Sequence, residues 1–183
     1  MKSNFDPIIL KMLAHEGGYT ADQRDKGNLL PDGRPGSTNL GVTQATWEQF
    51  VGKKVSNEDM RALTPEKVGY LYRARYWDAV KGDDLPAGVD YSVFDAAVNS
   101  GPKQASKWLQ RAANVADDGS IGPATLAAVS AMPTHLLIRK FNEQRLNFMQ
   151  GLSTFDTFGK GWTRRVNEVE IASSSMVDTT SRA

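Results

Sequence analysis

The group best placed for acid catalysis in this 183-residue chain is a glutamate at the end of an apolar helical stripe. Ile9, Met12 and Leu13 recur at helical spacing, and Glu16 falls on the same face two turns after Ile9. Burial disfavours an ionised carboxylate, and so does the negative end of a helix. Both effects would keep a proton on Glu16 near neutrality, as a general acid requires. Gly17 and Gly18 follow at once, residues suited to a helix stop that turns through positive φ. The same spacing also describes an ordinary surface glutamate near a helix end.

Glycoside hydrolysis pairs such an acid with a second group that activates water or stabilises positive charge on the sugar. Asp22 and Asp25 are the candidates, because the irregular segment after Glu16 has room to fold back and face it. Aspartates in turn-rich loops also serve the backbone as Asx-turns, and that reading stands beside the catalytic one. Flat aromatic faces and amide or hydroxyl side chains bind sugars. Tyr19, Trp47, Tyr76, Trp77 and Tyr91 are of the first kind, with Tyr19 foremost because glycines precede it. Thr43, Gln44 and Asn99 are of the second, Asn99 being either a helix-end cap or a wall of the site.

The elements that must position these residues are mostly helical. Asp6-Pro7 reads as a helix start and Tyr19 to Asn39 as turns, within which Leu29 to Gly36 suits a short hairpin or flap. Thr43 caps a helix ended by Gly52, and Thr64-Pro65 opens another carrying Val68, Leu71 and Tyr72. A helix from Asp90 to Ser100 breaks at Gly101-Pro102, where the next begins. Asp117 to Pro123 is a tight turn into a short helix through Val129, and it lacks the closing glutamate of a calcium loop. Thr134 caps a long helix, and an amphipathic segment with Phe158, Trp162 and Val166 follows. The Ser- and Thr-rich tail from Ser173 reads as disordered.

Composition removes several alternatives. With no cysteine there is no thiol catalysis or disulfide, and two histidines, His15 and His135, do not suggest a metal centre, so no metal or cofactor is expected. No Gly-rich phosphate loop or serine triad is marked, and His15 projects about 100° around the helix from Glu16. A net charge of +1 makes no case for nucleic acid. Residues 139–165 nevertheless hold Arg139, Lys140, Arg145, Lys160, Arg164 and Arg165 against Glu143 and Asp156. That surplus is either a solvated helix face or a patch for an anionic polymer, membrane or lipopolysaccharide. The N-terminus does not read as a signal peptide.

Three stretches in order, His15-Glu16-Gly17-Gly18-Tyr19, Asp25-Lys26-Gly27 and Thr38-Asn39-Leu40-Gly41-Val42-Thr43-Gln44, resemble the N-terminal half of glycoside hydrolase family 108. Tyr76-Trp77-Asp78, Gly82 to Pro86 and Val98 to Pro102 fit the same pattern. Asp118 to Pro123 and Phe158 to Thr163 resemble the peptidoglycan-binding region that accompanies it. The resemblance implies an all-α, lysozyme-like fold with a short hairpin flap near the active site. It also implies an N-acetylmuramidase, cleaving the β-1,4 bond between N-acetylmuramic acid and N-acetylglucosamine, with Glu16 as proton donor. On the residues themselves, Asp25, or water held by Thr43 and Asn99, would deal with the sugar cation, and Tyr19, Gln44, Tyr76 and Asn99 would hold the glycan strand. A catalytic part over 1–88, a wall-binding part over 89–170 and a tail over 171–183 are expected. So is a monomeric phage or prophage endolysin, made in the host cytoplasm and released through a holin to periplasmic peptidoglycan. The rivals are a lytic transglycosylase and a wall-binding or secretion-assisting protein without turnover. One departure stands out: Asn28 to Gly36 looks inserted, and Lys26 replaces the family's proline.

Overall fold

The structure, a computed structural model, describes residues 4–180 and is mainly α-helical. Compactness divides the chain into two units, Asp6–Ala74 and Met1–Phe5 with Arg75–Ala183.

The first unit holds α1 (Phe5–Leu13, entering from Phe5), α2 (Gln44–Val51), α3 (Asn57–Arg61) and α4 (Pro65–Tyr72). Their ends follow from local chemistry. The Thr43 hydroxyl accepts from the Thr46 N–H at 3.3 Å, and Gly52 closes α2 at φ +71°. Ser56 and Asp59 form a reciprocal capping box on α3, and Thr64 caps α4 ahead of Pro65. Between α1 and α2 the chain is irregular except for a small antiparallel hairpin, β1 (Thr38–Asn39) and β2 (Val42–Thr43), with Thr38 opposite Thr43. This ladder lies just beyond the segment that the sequence suggested as a flap. There Leu29 and Pro35 form an isolated bridge around a turn at Gly33.

The second unit is a bundle of α5 (Val89–Ser100), α6 (Pro102–Ala112), α7 (Pro123–Ala131), α8 (Thr134–Gln150) and α9 (Phe155–Thr180). Gly101 at φ +87° turns α5 into α6, as its Gly-Pro pair predicts. Trp108 lies fully buried at the centre, edge-on to Phe141 and Phe148 at 6.4 and 5.4 Å between ring centroids. Phe5, Trp77 and Phe94 form a second aromatic cluster with centroids 5.3–5.7 Å apart.

Two expectations are corrected in this unit. Helix α9 runs on through the Ser/Thr-rich stretch expected to be disordered. Ser173 is buried, its hydroxyl 2.8 Å from that of Ser92, so a small polar side chain pairs in the core. The last three residues of that tail lie outside those described. The basic stretch 139–165 is also less outward than its charge suggests. Arg145 and Arg165 both turn inward onto the fully buried Asp95, at 2.8 and 2.9 Å. Among the described residues, no helix is long and apolar enough to cross a membrane.

Candidate active site

Glu16 sits just past the end of α1. The helix tightens there: the N–H groups of His15 and Glu16 donate to the carbonyls of Met12 and Leu13, both at 3.0 Å. The glutamate is half-buried, less enclosed than its place on the apolar stripe suggested. Gly17 and Gly18 do not adopt positive φ, contrary to the helix-stop expectation. A side chain added at either would meet nothing within 4 Å, so open space fronts the Glu-Gly-Gly-Tyr stretch.

The glycine whose conformation matters is Gly41. It follows Leu40 in the turn of the β1–β2 hairpin, and both have positive φ, +50° and +73°. That is the two-residue turn whose twist matches a hairpin, with leucine in the place usually given to asparagine or glycine. A Cβ on Gly41 would stand 3.0 Å from Glu16 Oε2 and 2.6 Å from the Tyr72 hydroxyl. The bare backbone thus admits the carboxyl on one side and the phenol on the other. Tyr72 in turn donates to the Leu40 carbonyl at 2.9 Å.

Asp25 and Thr43 meet around a different glycine. A Cβ on Gly27 would lie 3.3 Å from Asp25 Oδ1 and 3.4 Å from Thr43 Cγ2. Asp25 is exposed and its carboxylate accepts from the Gly27 N–H at 2.9 Å, so it makes the Asx-turn that the loop composition suggested. Asp22 does likewise, accepting from the Arg24 N–H at 3.0 Å, and the Arg24 guanidinium holds its carboxyl below the usual range. Thr43 caps α2 and stands two residues after Gly41.

The remaining candidates separate. Tyr19 is half-buried, with the Arg61 guanidinium 4.5 Å from its ring centroid, so one face of the ring carries a cation. Gln44 is buried, and its amide donates to the Val55 carbonyl at 2.8 Å and to Glu48 at 3.3 Å. Trp47 packs on Phe50, while Trp77 and Tyr91 lie in the core. Tyr76 and Asn99 belong to the second unit. The former is partly buried against its core, and the latter is exposed, accepting from the Ser100 hydroxyl at 3.3 Å.

Sequence reasoning passed over Tyr72, Thr38 and Asn28. Register places Thr38 on the same face as Thr43. The Thr38 hydroxyl donates to the buried Asn28 side chain at 2.8 Å, and Asn28 donates to the Asp22 carbonyl at 2.9 Å. That chain of bonds fastens the acidic loop to the hairpin. A buried asparagine in a loop gives no periodic signal, and nothing in the local sequence around Asn28 marks it. Among the described residues no group of three His, Asp or Glu is placed to hold a metal.

Comparison with known proteins fits this arrangement. The family model described as Glycosyl hydrolase 108 matches residues 9–101, and that described as Predicted Peptidoglycan domain matches 104–167. The chain therefore belongs to glycoside hydrolase family 108. It is a peptidoglycan hydrolase in class, with a region of the peptidoglycan-binding kind following its catalytic one. Among solved structures it is similar to SagA of Brucella abortus, with 42% identity and a TM-score of 0.77 over 94% of this chain and 95% of that one. No curated protein gives a significant match.

Proposed function

We propose that the chain is an N-acetylmuramidase with Glu16 as its acid. The observation that carries this reading is the placement of the Glu16 carboxyl against the side-chain-free backbone of Gly41, beside open space at Gly17 and Gly18. In the proposed reaction Glu16 gives its proton to the glycosidic oxygen as the bond from that oxygen to the N-acetylmuramic C1 breaks. The departing N-acetylglucosamine leaves as an alcohol, and positive charge develops on the ring it quits. Asp25, or water held by Thr43, meets that charge; water adds at C1 and passes a proton to a neighbouring carboxylate. Tyr19 and its stacked Arg61 offer a contact for the glycan next to the acid.

The test is mass spectrometry of soluble fragments released from Gram-negative sacculi by the wild type and by Glu16→Gln. Reducing N-acetylmuramic ends from the wild type alone are expected. Anhydro ends would make the protein a transglycosylase, and undiminished release by Glu16→Gln would remove Glu16 from the mechanism. The biological setting in the same proposal is host-cell lysis by a monomeric phage or prophage enzyme reaching the periplasm through a holin. It rests on the family resemblance, and co-expression with and without a holin tests it by the fall in culture turbidity.

A further inference from the structure

The first two-thirds of α9 carries a groove that the catalytic reading does not use. It encloses about 510 Å³ and is lined by residues from Phe155 to Ile171. Its shape follows from two rows at a spacing of four along the helix. One row runs Phe155, Gly159, Thr163, Asn167 and Ile171, large at both ends and small in the middle, and this makes the helix face concave. A Cβ on Gly159 would fall 2.8 Å from the Phe155 ring, so glycine there lets the ring fold back as an end wall. The other row runs Lys160, Arg164 and Glu168, two cations followed by an anion.

We propose that this groove binds the stem peptide of peptidoglycan, the short anionic chain branching from the glycan. The inference rests on the reading that this region binds peptidoglycan and names the place and the part bound. Charge complementarity selects the occupant. Arg145 and Arg165 of the same basic stretch spend their charge on Asp95, whereas Lys160 and Arg164 are exposed along the groove. Stem peptides carry several carboxylates, which two cations one turn apart meet at successive positions. Thr163 and Asn167, between the apolar ends, present hydroxyl and amide groups to a peptide backbone. An anionic membrane would call for cations throughout, and a glycan strand would call for open aromatic faces. This volume is within the range of pockets that hold a small ligand.

The test uses full-length protein carrying Glu16→Gln, so that the wall is not cut during the measurement. Its co-sedimentation is compared with that of the same protein bearing Lys160→Gln and Arg164→Gln, and of one bearing the uncharged Thr163→Phe to fill the groove. The targets are intact sacculi, sacculi stripped of stem peptides by an amidase, and anionic phospholipid vesicles. Both groove variants are expected to bind intact sacculi about fivefold to tenfold more weakly, the first through loss of two charge-assisted contacts and the second because its ring occupies the groove. On stripped sacculi all three proteins should bind alike, and their melting temperatures should agree. Undiminished binding by the variants overturns the proposal. An equal loss on stripped sacculi assigns the groove to glycan, and a loss confined to vesicles assigns it to membrane; either overturns it too. If the parent itself fails to sediment with sacculi, the peptidoglycan-binding reading falls, and this site with it.

Discussion

The Tyr72 hydroxyl donates to the Leu40 carbonyl at 2.9 Å, and so ties the end of α4 to the hairpin turn that Glu16 rests against. Tyr72→Phe leaves that carbonyl without its phenol partner. A loss of about 1–2 kcal/mol in stability is expected. With Glu16 as the proposed acid, kcat should fall with KM little changed, because the turn packs against that carboxyl. Gly41→Ala is the sharper variant: it puts a methyl group at φ +73° between the phenol and the carboxyl. Misplacement of about an ångström costs on the order of a hundredfold in rate. Fragment release from sacculi and thermal unfolding read out both effects.

Asp25→Asn separates two roles. The amide oxygen still accepts from the Gly27 N–H, so the turn and the melting temperature should be kept, while the negative charge is gone. If Asp25 meets the sugar cation, kcat falls at least about tenfold. An unchanged rate would leave Asp25 as a loop residue and pass its task to the water at Thr43.

Asp90 gives stability a pH dependence that can be measured. Burial pushes its carboxyl up to about 6 from 3.8, against hydrogen bonds from the Asn4 side chain and the Tyr91 and Gly88 N–H groups. The folded chain thus holds this proton more tightly than the unfolded one. The resulting stabilisation is complete below about pH 4 and is lost as pH rises through about 6. Asp90→Asn keeps an acceptor oxygen but does not titrate. Relative to the wild type it should gain roughly 2–3 kcal/mol between pH 4 and 7 in denaturant titrations.

The Asp95 pair has the opposite sign. Burial raises the Asp95 carboxyl, but Arg145 and then Arg165 outweigh it and hold the group below its ordinary value. Its contribution is present above the unfolded value of 3.8 and is lost as pH falls through the lower folded one. Arg145→Met leaves Asp95 buried with half its counter-charge, and a loss of about 3–5 kcal/mol is expected in chemical denaturation.

The segment 28–36 is clipped to α2 by Arg34, whose guanidinium reaches Asp32 at 2.9 Å and Glu48 at 3.0 Å. Glu48 also accepts from the Val55 N–H at 3.0 Å. Arg34→Ala should speed limited proteolysis within Leu29 to Pro35 while leaving the melting temperature nearly unchanged. Mapping the cleaved bond by mass spectrometry checks this.

What could be read from the sequence was what local chemistry dictates. Thr43 and Thr64 announced their helices, and Gly101-Pro102 announced the α5–α6 corner. What could not be read depended on partners distant in the chain. Leu40 at φ +50° disguised the hairpin turn, because leucine is a poor marker for that conformation. Ser173 reads as tail composition until Ser92 stands opposite it. Arg145 and Arg165 look like surface charge until Asp95, fifty and more residues earlier, is found between them.

Helix α9, about 39 Å long at 1.5 Å per residue, carries the groove along its first two-thirds and is fastened at two points, one beside the groove and one beyond it. Arg165 is locked to Asp95, and Ser173 beyond it to Ser92. Ser92 and Asp95 stand one turn apart on α5, so a single short stretch of that helix fixes both the register and the rotation of α9.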